Sequence, residues 1–210
     1  EVIKTSKILS IKSPKYKTSL PRPLTVNQVE KIISLIKNNK KEWIAKRNLS
    51  IVFLMWGFGL RISEVLSIKL KDIQSEDLIS IIGKGGKERL IPIYEEIKKN
   101  LHEMTSLTPF NIGKDDHIFV GIKGNKLHPT IIQKEIRKIR QELMLPDNTT
   151  PHSLRHSFAT LLLDNMVDLR SIQELLGHTS LSTTQKYTSV DSNRMKEIIN
   201  DFHPRSSQKL

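Results

Sequence analysis

The run SIVFLMWGFGL, Ser50 to Leu60, holds no charged residue in a chain that is 27% Asp, Glu, Lys and Arg. It is well short of the roughly 20 apolar residues that cross a bilayer, and Arg61 ends it. The run therefore reads as part of a strongly apolar helix, about Trp43 to Trp56, that breaks at Gly57 and Gly59. Directly after the break, RISEVLSI resumes helical spacing, with Arg61 at its start and Glu64 one turn on.

The other periodicities surround this helix with a mainly α protein carrying one small antiparallel β-sheet, an α+β arrangement. Thr25 followed by Gln28 has the form of a capping box, opening a helix through Val29, Ile32, Ile33 and Ile36. DLISIIGKGGKERLIPI has two β-branched runs around a glycine-rich tip, the pattern of a β-hairpin. Lys84, Lys87 and Arg89 ride on its turn and second strand. A helix is expected from about Tyr94 to Met104, a short strand at HIFV (117–120), and another helix with Pro129 at its first position. Beyond these, helices are expected over about 151–165, 168–176, 182–189 and 191–201. Residues 1–23 are rich in Lys, Ser and Pro and read as a basic, extended linker, with ordered sequence starting at Leu24.

Charge narrows the partner. Lys and Arg number 34 against 22 Asp and Glu, a formal net charge of +12. Such a surplus favours a polyanion (DNA, RNA or an anionic membrane surface), although AT-rich genomes also load proteins with lysine. The absence of cysteine rules out disulfide scaffolds and thiolate metal sites. Lys4 and Lys7 are followed by no apolar signal-peptide core, so a cytoplasmic protein is expected.

The stretch TPHSLRHSFAT (150–160) concentrates the candidate chemistry. On a helical wheel Leu154, Phe158, Leu161 and Leu162 share a core face, and His152, Arg155, His156 and Ala159 share the opposite one. Thr150 suits the cap and Pro151 the first position, so His152 and Arg155 lie one turn apart at a helix N-terminus, where anions are favoured. By itself this arrangement fits a solvated basic face as well as an anion site. His152 and His156 have the spacing of zinc-binding helices, but Ser153 stands where that motif needs glutamate. GKGGKE lacks the Ser or Thr and the following helix of a phosphate loop. Downstream, Gly177 suits a left-handed helix cap that projects His178 from a fixed turn, and Tyr187 follows on a short helix.

Together these pieces resemble the catalytic domain of tyrosine site-specific recombinases, most nearly the bacterial Xer type. The resemblance runs from about Leu24 to Arg205 and is carried by GFGLRISEVL, IIGKGGKERLIPI, PHSLRHSFATLLLDN, VDLRSIQELLGHTSLSTTQKYTSV and FHPRS. It implies the tyrosine recombinase catalytic-domain fold over 24–205, with 1–23 an interdomain linker and an N-terminal core-binding domain absent from this chain. By motif it implies Arg61 as the first arginine, Lys84 as the hairpin lysine, and His152 with Arg155 as the H-x-x-R pair. His178 becomes a third basic ligand of the phosphate and Tyr187 the nucleophile. Glu64 and His156 become supporting residues, and Lys87 and Arg89 DNA contacts. The implied reaction is DNA cleavage and rejoining through a 3′-phosphotyrosine, without metal or nucleotide cofactor. The implied partners are duplex DNA and other recombinase protomers in a tetramer on paired sites, with a paralogous recombinase and a DNA translocase as further candidates and no membrane. Resolution of chromosome or plasmid dimers is the expected task. An integrase of a mobile element, a non-catalytic DNA-binding relative and a type IB topoisomerase are the alternatives. In SNRMKEIINDF the stripe Met195, Ile198, Ile199 and Phe202 suits docking on a neighbouring protomer or packing on its own domain.

Overall fold

The computed structural model describes residues 23–73, 78–83, 86, 88–93 and 95–176. The expected linker (save Pro23), the Gly177 cap and the helices over 182–189 and 191–201 lie outside the described residues. The described order is α1 (Val26–Lys37), α2 (Glu42–Gly57), α3 (Ile62–Val65), a 3-10 turn (Leu70–Ile73), β1 (Leu78–Ile82), β2 (Glu88–Pro92), α4 (Glu95–Leu107), α5 (Pro129–Glu142), α6 (Pro151–Asp164) and α7 (Leu169–Leu176). None of the described helices is long and apolar enough to cross a membrane.

Helix α2 organises the rest. From Leu49 to Gly57 every residue on it is buried. A helix that is apolar all round has to be covered on all sides, and α1, α4 and α6 pack against it. Each Leu, Ile or Phe so covered contributes about 1.5–3 kcal/mol relative to exposure. Helix α1 supplies a one-sided stripe of Val29, Ile32, Ile33 and Ile36. It starts at the expected capping box: Thr25 Oγ1 accepts from the Gln28 N–H at 3.2 Å, and Gln28 Oε1 accepts from the Thr25 N–H at 2.9 Å. One residue earlier, the Leu24 N–H donates to Ser157 Oγ at 2.6 Å, tying the entry to α1 onto α6.

The two strands pair antiparallel, from Leu78 opposite Pro92 to Ile82 opposite Glu88. Alternation sends Ile79, Ile81, Arg89 and Ile91 inward, and leaves Ile82, Glu88 and Leu90 exposed. This small sheet packs on the 3-10 turn and α3. Helix α5 opens with Pro129 at its first position and buries Ile132, Ile136 and Ile139.

Two local expectations change. HIFV forms no strand; it makes only the isolated bridges Lys69–His117 and Val120–Lys126. The chain turns back at Gly121 to Gly124, where Gly124 has φ +81° and its N–H donates to the Gly121 carbonyl, so pairing ends after single residues. RISEVLSI is helical for one turn only, Ile62–Val65. The Ile68 carbonyl is then taken by the Ile118 N–H at 3.1 Å, which draws the chain away from the helix path.

Gly59 follows α2 with φ +61°, and a Cβ there would sit 2.5 Å from Phe158 Cδ1 and 2.7 Å from Leu176 Cδ2. Backbone strain and overpacking thus act together at this position. Gly59→Ala is expected to lower stability by about 2–5 kcal/mol, read from urea unfolding. A loss within about 0.5 kcal/mol, the range of an ordinary surface substitution, would contradict the close approach.

Candidate active site

The end of α2 hands the chain to Arg61, the N-cap of α3. Glu64, one turn later, is 4% exposed and takes hydrogen bonds on both carboxylate oxygens. Oε1 accepts from Arg61 Nη1 at 2.7 Å and Arg89 Nη1 at 3.1 Å. Oε2 accepts from the Arg61 N–H at 2.8 Å and Arg89 Nη2 at 2.9 Å. Burial by itself would raise the pKa of this carboxyl. The bonds from Arg89 and then Arg61 outweigh it, so the group stays below the usual glutamate value. Arg89 grips Glu64 as a planar fork, whereas the Arg61 side chain remains 32% exposed.

Arg155 corrects the helical-wheel reading. The wheel set it on a face opposite the core, yet it is 8% exposed. Two elements distant in sequence cover that face: Arg155 Nη1 donates to the Gly59 carbonyl, and Nη2 donates to the Leu176 carbonyl at 2.7 Å. Burial first, then the charge of Arg61, brings its pKa down to about 10, with Arg89 acting in the same direction and Glu64 against it. The four charged side chains of Arg61, Glu64, Arg89 and Arg155 thus form one electrostatic cluster. Leu161, placed on the core face by the wheel, is only half-buried.

His152 and His156 stand exposed on α6. His152 also lines a cavity of about 250 Å³ with Met55, Ile62, Gln133, Arg137, Arg140 and Thr149. That cavity opens beside the α6 N-terminus, next in sequence to Arg61 through Ile62. The α5–α6 connection is tied down where Arg140 donates to the Asp147 carbonyl. It is tied again where Ser153 Oγ donates to the Asn148 carbonyl at 3.1 Å and accepts from the Thr150 N–H at 3.1 Å.

Among the residues expected from the sequence, Arg61, Glu64 and Arg155 come together, and His152 flanks them. Lys84, Lys87, His178 and Tyr187 lie outside the described residues. Arg89 is the second correction. Expected on the hairpin surface as a DNA contact, it is 7% exposed with both terminal nitrogens on Glu64. The signal was present in the strand alternation, which puts Arg89 on the same face as Ile91. The carbonyl acceptors at Gly59 and Leu176 carried no sequence signal. Chemically, the cluster holds three guanidinium groups against one carboxylate, and so suits an anion with several oxygens.

Residues 22–194 match the Phage integrase family. A protein named Tyrosine recombinase XerC from Mesorhizobium japonicum is 44% identical over 200 residues, 94% of this chain and 64% of that relative. The chain thus spans 64% of the length of that curated relative. Among solved structures, the XerH site-specific recombinase bound to a palindromic difH substrate, in a post-cleavage complex, superposes with a TM-score of 0.66 and 31% identity, over 90% of this chain and 55% of that one. The integrase from mycobacterium phage Brujita superposes with a TM-score of 0.69 and 25% identity, over 97% of this chain and 65% of that one.

Glu64→Gln leaves buried Arg89 without its counter-charge, and at pH 7 it is expected to cost about 3–5 kcal/mol. Glu64 titrates lower in the folded state than in the unfolded one. Its contribution is therefore complete above the ordinary glutamate value of about 4.3 and is lost as pH falls through the lower, folded value. Urea unfolding of both proteins at pH 7 and pH 3 checks this, with the gap between them expected to narrow in acid. A gap unchanged by pH would contradict the charge pairing.

Proposed function

The chain belongs to the phage integrase family, and from that membership we propose that it is the catalytic domain of a tyrosine recombinase that cuts and rejoins duplex DNA. The Xer type, which resolves chromosome or plasmid dimers, is the reading favoured by 44% identity to a protein named Tyrosine recombinase XerC. One observation carries the chemistry. Arg61 and Arg155 stand in one charge cluster, each held by buried partners before any substrate arrives.

A phosphodiester is already an anion, so attack by a second oxygen gains most from fixed positive charge around the phosphorus. Arg61 and Arg155 take the non-bridging oxygens, the task a metal ion fills in many phosphoryl-transfer enzymes. His178 adds a further donor. Tyr187 has an ordinary pKa near 10, and His152 accepts its proton as the phenol oxygen bonds to phosphorus. The bond from phosphorus to the 5′ oxygen breaks at the same centre, and Lys84 protonates that oxygen as it leaves. The products are a 3′-phosphotyrosine and a free 5′-hydroxyl. The number of phosphoester bonds is unchanged, so a 5′-hydroxyl from another strand reverses the step with no external energy.

The partners follow from this reaction. XerH was solved on a palindromic substrate, and a palindrome presents one half-site twice, matching two copies of one protein. Our reading for this chain is paired protomers on duplex DNA, four across two sites, with a paralogous recombinase and a DNA translocase as further partners. DNA as the substrate sets the cytoplasm as its place of action.

The deciding experiment incubates the protein with a nicked duplex carrying its site and looks for a covalent adduct under denaturing conditions. The unaltered protein is expected to form one, and Tyr187→Phe to bind DNA without forming any. An adduct from the Phe variant would overturn the assignment of the nucleophile. Lys84→Ala is expected to cleave normal DNA about 10²–10⁴-fold more slowly, the usual worth of a general acid. Replacing the bridging 5′ oxygen with sulfur gives a leaving group that needs no proton, and should restore its rate. Equal impairment on both substrates would reduce Lys84 to a positioning contact.

A further inference from the structure

The reading of Arg61 as a phosphate ligand leaves Arg89 unexplained. It is 7% exposed on the inner face of β2, and a lone buried cation there would be costly. Its pairing with Glu64 answers the cost, yet a Met or Leu at this position would fill the space without requiring a buried acid at all. The hub formed by Glu64 explains the choice. Glu64 holds the Arg61 side chain at 2.7 Å and the Arg61 backbone N–H at 2.8 Å, which fixes the guanidinium in place. A carboxylate acting alone would also cancel the charge that Arg61 is needed to present. Arg89 adds a second positive charge to the same carboxylate, through bonds of 3.1 and 2.9 Å. Two guanidinium groups and one carboxylate then carry a net charge of about +1, and the exposed member of the trio is Arg61.

We propose that Arg89 is a positioning residue for strand cleavage, which orients Glu64 through its fork and offsets the charge of Glu64 so that Arg61 meets the scissile phosphate both fixed and still positive. Geometry and charge both contribute. The fork holds the plane of the carboxylate, and with it the direction of the Arg61 side chain. The second charge keeps Glu64 from neutralising its neighbour in a poorly solvated place, where Coulomb interactions are several-fold stronger than in water. Because β2 is the returning strand of the hairpin that carries Lys84, the same contact also ties that hairpin to the Arg61 loop.

The inference rests on the phosphate-ligand reading of Arg61, and the test separates the two. Arg89→Gln and Arg89→Lys are compared with the unaltered protein on three nicked substrates. One carries the normal phosphate, one a neutral methylphosphonate at the scissile position, and one sulfur at the bridging 5′ position. On normal DNA, Arg89→Gln is expected to cleave about 10²-fold more slowly, at the lower end of what loss of a direct oxyanion donor costs. Arg89→Lys, which keeps the charge and loses the fork, should fall between. On the methylphosphonate there is no phosphate charge to offset, and the gap between Arg89→Gln and the unaltered protein should close. The sulfur substrate should leave the gap open. Rescue by sulfur without rescue by methylphosphonate would move the role to the Lys84 hairpin, and equal impairment on all three would make Arg89 purely structural; either overturns the proposal. If the unaltered protein forms no adduct on normal DNA, the recombinase reading fails instead. A readout independent of activity remains in that case: the 15N order parameter of Arg61 Nε–H in the DNA-free protein. It is expected to fall in both variants, and unchanged Arg61 motion would sink the positioning role.

Discussion

A buried carboxylate that accepts four hydrogen bonds from two arginines sets the terms for everything around it. Glu64 is 4% exposed, and burial by itself would raise its pKa; the bonds from Arg89 and then Arg61 hold it below the usual glutamate value. Through those bonds it joins two parts of the chain that pack against each other anyway. One is the loop and helical turn after α2, which carries Arg61, and the other is β2, which carries Arg89. Both arginines are held by the acid, and their hydrogen bonds favour its charged form. Removing one member therefore costs far more than an average hydrogen bond.

Arg155 repeats the device with backbone acceptors. It closes the α2 terminus and the α7 terminus onto α6 by donating to the carbonyls of Gly59 and Leu176. Gly59 can approach that closely only because it has no Cβ to meet Phe158. A helix too apolar to end anywhere but inside the protein, a left-handed glycine and a buried guanidinium thus form one local solution. The cost of burying the Arg155 charge is offset in part by its bonds to the two carbonyls, which also fix its place.

Much of this was legible in the sequence. The capping box at Thr25, the amphipathic stripe of α1, the hairpin and the proline-led helices α5 and α6 all lie where periodicity and turn chemistry put them. These features are decided by neighbours within a few residues. The failures came where distant segments decide. A wheel sets Arg155 opposite the core because it cannot show that Gly59 and Leu176 cover that face. HIFV reads as a strand because its residues favour one, while Gly121 to Gly124 allow only single-residue bridges. The inward turn of Arg89, by contrast, follows from local pattern: two residues from Ile91 on the same strand, it shares the buried face.

In the proposed reaction, two pre-anchored guanidinium groups serve one phosphate. A crystal structure of the protein on a duplex carrying its site, with Tyr187 replaced by Phe to hold the uncleaved state, measures this directly. It should show Arg61 and Arg155 both within hydrogen-bond distance of the non-bridging oxygens of a single phosphodiester. Arg61 should still be held by Glu64, and Arg155 should still donate to Gly59 and Leu176. Guanidinium groups bound to two different phosphates, or an Arg155 that left both carbonyls to reach the DNA, would contradict it.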